Sequence, residues 1–110
     1  MKAGRELDAL VAEKVMGLEI TYVGSTPFTH RGTKDEHNVL FYSRDILAAW
    51  QVVEKMRERA YNIEIITNDL AVYGVLFTER EVGIGEYGEA PSAPEAICLA
   101  ALKAVGVETK

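Results

Sequence analysis

Cysteine is nearly absent from this sequence. Cys98 stands alone among 110 residues, so no intramolecular disulfide can form. It lies inside an apolar helical pattern, which predicts a buried, unreactive thiol and fits a reducing compartment. Positive charge is also short: 12 Lys and Arg face 17 Asp and Glu, for a net charge of −5. The pI is near 5.0. That balance argues against non-specific binding to duplex nucleic acid or to an anionic membrane, and an anionic ligand would need a local basic pocket. No apolar run approaches the roughly 18 residues of a membrane-spanning helix. Met1–Asp8 is charged early and lacks an apolar core, so neither a signal peptide nor a membrane span is expected. Internal repeats, linkers and low-complexity tracts are missing too.

What remains is a globular profile, 48% hydrophobic and 26% charged. The length fits one domain over residues 1–110, able to bury a core and of a size that a partner subunit often helps. Leu7, Leu10, Val11 and Val15 recur at helical spacing over Ala3–Met16, and Gly17 falls where such a helix stops. Leu18–Gly24 alternates as a strand. Ser25–Asn38 has no periodicity and holds Pro27, Gly32 and both histidines, so an exposed loop or wide hairpin tip is expected. Val39–Tyr42 reads as a short strand. A second helix is expected over Arg44–Arg59, capped by Ser43, with Ile46, Trp50, Val53 and Met56 as its apolar stripe. Strands over Tyr61–Ile66 and Leu70–Thr78 flank the turn-like Thr67-Asn68-Asp69, and Glu81–Tyr87 is a weaker, glycine-containing edge strand. Ser92 and Glu95 have capping-box spacing, with Pro94 in the first turn, Ile97, Ala101, Leu102 and Val105 as the apolar face, and Gly106 as the stop. The fold class is therefore α/β (α+β), three helices packed on one mainly antiparallel or mixed sheet of four or five strands.

Several motifs carry possible chemistry. His30 and His37 flank Asp35 and Glu36 in HRGTKDEH, but their spacing matches no structural zinc pattern, and a solvated loop is expected instead, with no metal. Gly83-Ile84-Gly85-Glu86-Tyr87-Gly88 spells G-x-G-x-x-G. Glu86 and Glu89 crowd it and Ala90-Pro91 delays the helix, so a flexible strand or lid is expected rather than a dinucleotide fold. No nucleophile triad is defensible: Ser43 and Ser92 are explained as caps and Cys98 as core. No catalytic residue and no cofactor is expected. The best local case is anion capture. Helix N-termini offer free N–H groups, Arg44 stands beside Ser43, and Arg31 and Lys34 could add charge-assisted bonds. Tyr42, Trp50, Tyr73 and Tyr87 could stack on a base. Against that, Trp50 falls in line with Ile46 and Val53, and Tyr73 alternates with Val75 and Phe77, which are core patterns.

Three blocks carry a resemblance: LDALVAEKVMG (Leu7–Gly17), YSRDILAAWQVVEKM (Tyr42–Met56) and APSAPEAICLAALKAV (Ala90–Val105). Together they resemble the small bacteriophage proteins of the phage ABA sandwich domain family. The blocks cover under half the residues but span the chain in order. Relatives commonly carry Trp after the first block's glycine, where this chain has Leu18. The resemblance implies a phage origin, action in the cytoplasm of the infected bacterial host and an α-β-α sandwich; it specifies no activity.

Small phage proteins of this size often act against host immunity. The resemblance thus leads to an anti-defence binding protein that sequesters a nucleotide-derived second messenger, a cyclic dinucleotide or an ADP-ribose derivative, without catalysis. Its ligand residues would be Arg31, Lys34, Tyr42, Ser43, Arg44, Trp50, Tyr73 and Tyr87. A homo-oligomer is expected, because pockets between copies suit small chains and the edge Glu81–Gly88 is open to pairing. The alternatives are a module that binds and inhibits a host defence protein through its acidic surface, and a small nucleotide hydrolase or lyase.

Overall fold

The computed structural model describes residues 1–69 and 71–108. Nine elements follow in chain order: α1 (Arg5–Lys14), β1 (Ile20–Val23), β2 (Thr26–Thr29), β3 (His37–Asn38), α2 (Ile46–Glu58), β4 (Tyr61–Asp69), β5 (Val72–Glu79), β6 (Gly85–Ala90) and α3 (Ala93–Ala104). The three helices stand where periodicity places them, and the glycines that end the first and last, Gly17 and Gly106, have left-handed φ of +74° and +88°. Ser92 caps α3 by accepting from the Glu95 N–H at 3.4 Å. The cap of α2 is Asp45, accepting from the Leu47 N–H at 2.9 Å. Ser43 is therefore not a cap. It is buried and drawn inward to the carboxylate of Asp8.

The strands form two sheets, not one sheet of four or five. β1-β2-β3 and β4-β5-β6 are separate, three-stranded and antiparallel throughout. Two strands of the smaller sheet lie inside Ser25–Asn38, expected to be loop. At four and two residues they are too short to show a period, and Pro27 argues locally against a strand. Val39–Tyr42 is not a strand. Val39 and Tyr42 are buried there through side-chain packing in irregular chain. The final strand starts later than expected, at Gly85, and β4 runs on to Asp69 through a register irregularity after Ile66. The expected start of the neighbouring strand, Leu70, lies outside the described residues.

Register assigns the faces of the larger sheet. Val75 and Phe77, opposite Ile65 and Ile63 on one side and Gly88 and Glu86 on the other, face α3, while α2 packs on α3 and on β4. Both are fully buried, and a fully buried Phe such as Phe77 contributes roughly 2–3 kcal/mol through its apolar area. The approach of α3 is close: a Cβ on Gly88 would meet the Ala100 backbone nitrogen at 2.5 Å. That contact, with Ala96, Ala100 and Ala101 facing inward, explains the glycine-rich segment by packing and removes the dinucleotide reading. α1 packs on α3 and on β1 and β2 of the smaller sheet.

The stripe of α2 also differs from expectation. Ala48, Ala49, Val52, Val53 and Met56 are buried, whereas Ile46 is 49% exposed and Trp50 46%. Small alanines let the helix approach α3 closely, and the bulky side chains are left outside.

Candidate functional site

The eight residues expected to bind ligand are not brought into one site. Tyr42 and Ser43 are buried at 2% and 0% exposure. Ser43 accepts from the Gly4 N–H (2.9 Å) and donates to Asp8 Oδ1 (2.6 Å), which also accepts its N–H (2.8 Å). Burial pushes the Tyr42 hydroxyl above its ordinary pKa. Ser43 holds structure rather than ligand, because its polar atoms are taken up by Gly4 and Asp8, and the Tyr42 ring is packed in the core. Tyr73 pairs with Ala90 on the face toward the helices, and Tyr87 pairs with Leu76 on the opposite face. One base therefore cannot stack on both. Tyr73 is partly exposed rather than packed, since it lies beyond the helix-covered centre of its strand. Arg44 and Lys34 are exposed. Trp50 lies with Met16, Leu47, Gln51 and Lys55 in a groove on α2.

The remaining expected residue, Arg31, does line a cleft. It measures about 380 Å³ and is walled by Leu18, Thr21, Thr29, His30, Arg31 and Thr33, with Glu19 on its rim. That volume lies within the range of small-ligand sites. The walls come from the end of β2, from β1 and the segment before it, and from the turn after β2. In that turn the Thr33 N–H donates to the His30 carbonyl (3.1 Å) and the Glu36 N–H to the Thr33 carbonyl (3.2 Å). Thr33 Oγ1 donates to the same His30 carbonyl at 2.7 Å.

Three features set this turn apart. His30 has φ of +56°, a left-handed conformation that costs a non-glycine residue on the order of 1 kcal/mol. Thr29 is 1% exposed, yet its hydroxyl has no hydrogen-bond partner among the described residues, a state that costs about 1–3 kcal/mol. Arg31 Nη1 donates to Glu36 Oε1 and Oε2, both at 3.0 Å, and the Gly32 N–H donates to Oε1 at 2.9 Å. The Gly32 N–H first, and the Arg31 guanidinium second, hold the Glu36 carboxyl below its ordinary pKa.

The histidines pack ring to ring at 5.8 Å, and His37 Nδ1 lies 2.8 Å from the Asp35 carbonyl. Among the described residues no three His, Cys, Asp or Glu side chains converge as metal ligands. Cys98 is buried in α3, and desolvation drives its pKa far above that of a free thiol, as the sequence pattern predicted. Sequence reasoning missed Thr29, Thr21 and His30 as residues that line the same cleft as Arg31. Nothing local marks them, since the cleft forms only when β1 and β2 pair.

No helix among the described residues is long and apolar enough to cross a membrane. The family model described as the phage ABA sandwich domain matches residues 9–102. The 2.0 Å crystal structure of a phage protein from Bacillus cereus ATCC 14579 is similar over 100% of this chain and 93% of its own, with 32% identity and a TM-score of 0.81. No curated protein matches the sequence.

Proposed function

Because the chain belongs to the phage ABA sandwich domain family, we propose that it is a phage anti-defence protein that binds and withholds a nucleotide-derived immune signal without converting it. The observation that carries this reading is the cleft, which brings Glu19, Thr21, His30 and Arg31 to one concavity. A phosphate oxygen suits Arg31, because charge-assisted bonds from a guanidinium to phosphate are strong and directional. The imidazole of His30 offers a face to a base. The Glu19 carboxylate on the rim suits a ribose hydroxyl, the usual donor to an acidic side chain in nucleotide sites. A cyclic dinucleotide or a cyclic ADP-ribose isomer carries all three groups.

The test is retention. Purified protein is incubated with a panel of cyclic dinucleotides and cyclic ADP-ribose isomers, filtered, denatured and analysed for what it releases. Release of one compound intact is expected. Release of an altered compound would make the protein an enzyme, and a panel left wholly in the filtrate would overturn the nucleotide reading.

A second reading rests on a different surface. Leu47, 78% exposed, and Trp50 stand on α2 beside Met16, with Glu54 and Glu58 alongside. An exposed Trp and Leu rimmed by charge is the composition of a protein-binding patch. A host defence protein captured in stoichiometric amount, and lost with Trp50→Ala, would favour this reading.

A further inference from the structure

Arg31 and Gly32 already hold an anion, and that anion belongs to the protein itself. The carboxylate of Glu36 accepts from one guanidinium nitrogen and one backbone N–H, at 3.0 and 2.9 Å. These are the donors that would meet an oxygen of a bound phosphate. The seat is not filled well. Both carboxylate oxygens are served by the same nitrogen, Nη1, so the parallel two-nitrogen fork of a strong Arg–carboxylate pair is not made. Nε and Nη2 make no hydrogen bond among the described residues. The pair is also part-exposed, at 47% for the Arg31 side chain and 28% for that of Glu36, and an ion pair open to water holds weakly.

The neighbouring residues show the same incompleteness. The hydroxyl of Thr29, a residue that borders the cleft at the end of β2, is buried without a partner among the described residues. His30 is held in a left-handed conformation by the turn that presents Arg31. One buried unpaired hydroxyl and one left-handed residue, adjacent on the segment that presents Arg31, are features that cluster at sites completed by a ligand.

We propose that Glu36 is a resident stand-in for the ligand's phosphate: binding displaces its carboxylate from Arg31 and Gly32, and the incoming oxyanion takes both donors. This rests on the ligand cleft proposed above and adds its anion-recognising group and its internal competitor. Displacement frees Glu36 to water, so ligand entry is coupled to a rearrangement of the turn from Arg31 to Glu36. The ligand class that fits is a pyrophosphate or phosphodiester, whose tetrahedral oxygens reach both the guanidinium and the backbone N–H. Lys34 is exposed on the same turn, two residues beyond Gly32.

The probe is inorganic pyrophosphate, titrated against the full chain by amide chemical shifts, with Glu36→Gln, Glu36→Ala, Arg31→Ala and the double variant R31A/E36Q. Removing the competitor is expected to tighten pyrophosphate binding about three- to fivefold in both Glu36 variants, the release expected from an exposed ion pair. Arg31→Ala is expected to abolish binding, and the double variant to recover none of it. Equal or weaker binding by both Glu36 variants overturns the stand-in, even if the wild type retains a nucleotide. Binding by the double variant as tight as by Glu36→Gln overturns the seat, as does the absence of binding in every variant. Tightening in the Glu36 variants with no nucleotide retained from the panel supports the oxyanion seat while removing the immune-signal reading.

Discussion

Two buried polar regions of this protein are treated in opposite ways. At the start of α1, Asp8 is fully buried, and each oxygen is used: Oδ1 accepts from the Ser43 N–H and hydroxyl, and Oδ2 accepts from Arg5 at 2.8 Å. Arg5 in turn donates to the carbonyls of Val39 and Leu40 and lies over the ring of Phe41, 4.1 Å from its centre. At the end of β2, Thr29 is buried as deeply with its hydroxyl unpaired, beside a strained histidine and a weakly seated carboxylate. A satisfied polar network fixes one arrangement and has a structural purpose: this one ties the irregular segment from Val39 to Ser43 onto α1. An unsatisfied one is tolerated where a ligand completes it. Burial alone does not separate the two, but hydrogen-bond completeness does.

The comparison is most easily broken at Asp8. Asp8→Ala leaves the Ser43 N–H and hydroxyl without their acceptor and Arg5 without its carboxylate, and is expected to cost about 3 kcal/mol. A drop in Tm on the order of 10 °C or more would show it. Pyrophosphate affinity, measured where the variant is folded, should not change. A shift of less than a few degrees would mean that the Asp8 network is as dispensable as the Thr29 hydroxyl is expected to be.

Gly88→Ala tests packing rather than polarity. Its added methyl would meet the backbone of Ala100, and neither β6 nor α3 can move without losing its register. The expected cost is about 2–3 kcal/mol, read as a lower midpoint in urea with the slope unchanged. Gly83→Ala is the control: with φ of +76° and open space around it, it should cost about 1 kcal/mol.

Thr29→Val reverses the sign. Replacing a buried, unpaired hydroxyl with a methyl of similar shape should stabilise the free protein by about 1 kcal/mol, raising Tm by several degrees, and weaken ligand binding. Destabilisation instead would show that the hydroxyl has a partner in solution, and the contrast with Asp8 would fall.

The smallest effect is the pH dependence of Glu36. Its folded pKa is depressed below the ordinary 4.5 by the Gly32 N–H and then by Arg31. A depressed acid stabilises the folded state above its unfolded pKa and loses that contribution as pH falls through the folded value. The loss therefore belongs below pH 4.5. Carboxyl chemical shifts followed through an acid titration should place Glu36 below ordinary glutamates, and Arg31→Ala should move it back only partway, since Gly32 remains.

Local rules carried much of this protein. The capping spacing of Ser92 and Glu95, the stop glycines Gly17 and Gly106, and the burial of Cys98 all follow from chain-local geometry, and each stands where the sequence places it. The family was legible because the three blocks that carry it fall on or beside the three helices, where packing fixes residue type. The smaller sheet was not legible. β2 and β3 are short, one contains proline, and neither is long enough to show an alternating pattern, although their pairing partners lie within ten residues along the chain. Trp50 was misplaced because helical spacing is satisfied by two adjacent faces of α2, and only the close approach of α3 selects the alanine-rich one.

The sequence by itself determined the number of helices, the stops of the first and last, the cap of the last and the buried thiol, since each depends on near neighbours. Tertiary structure decided which face of each helix is covered, that the strands divide into two sheets, and that Thr29, His30 and Arg31 share a cleft with Leu18 and Thr21. The helix faces depend on contacts between segments far apart in the chain, and the cleft on a hairpin whose strands are too short to show a period, so no local pattern records either.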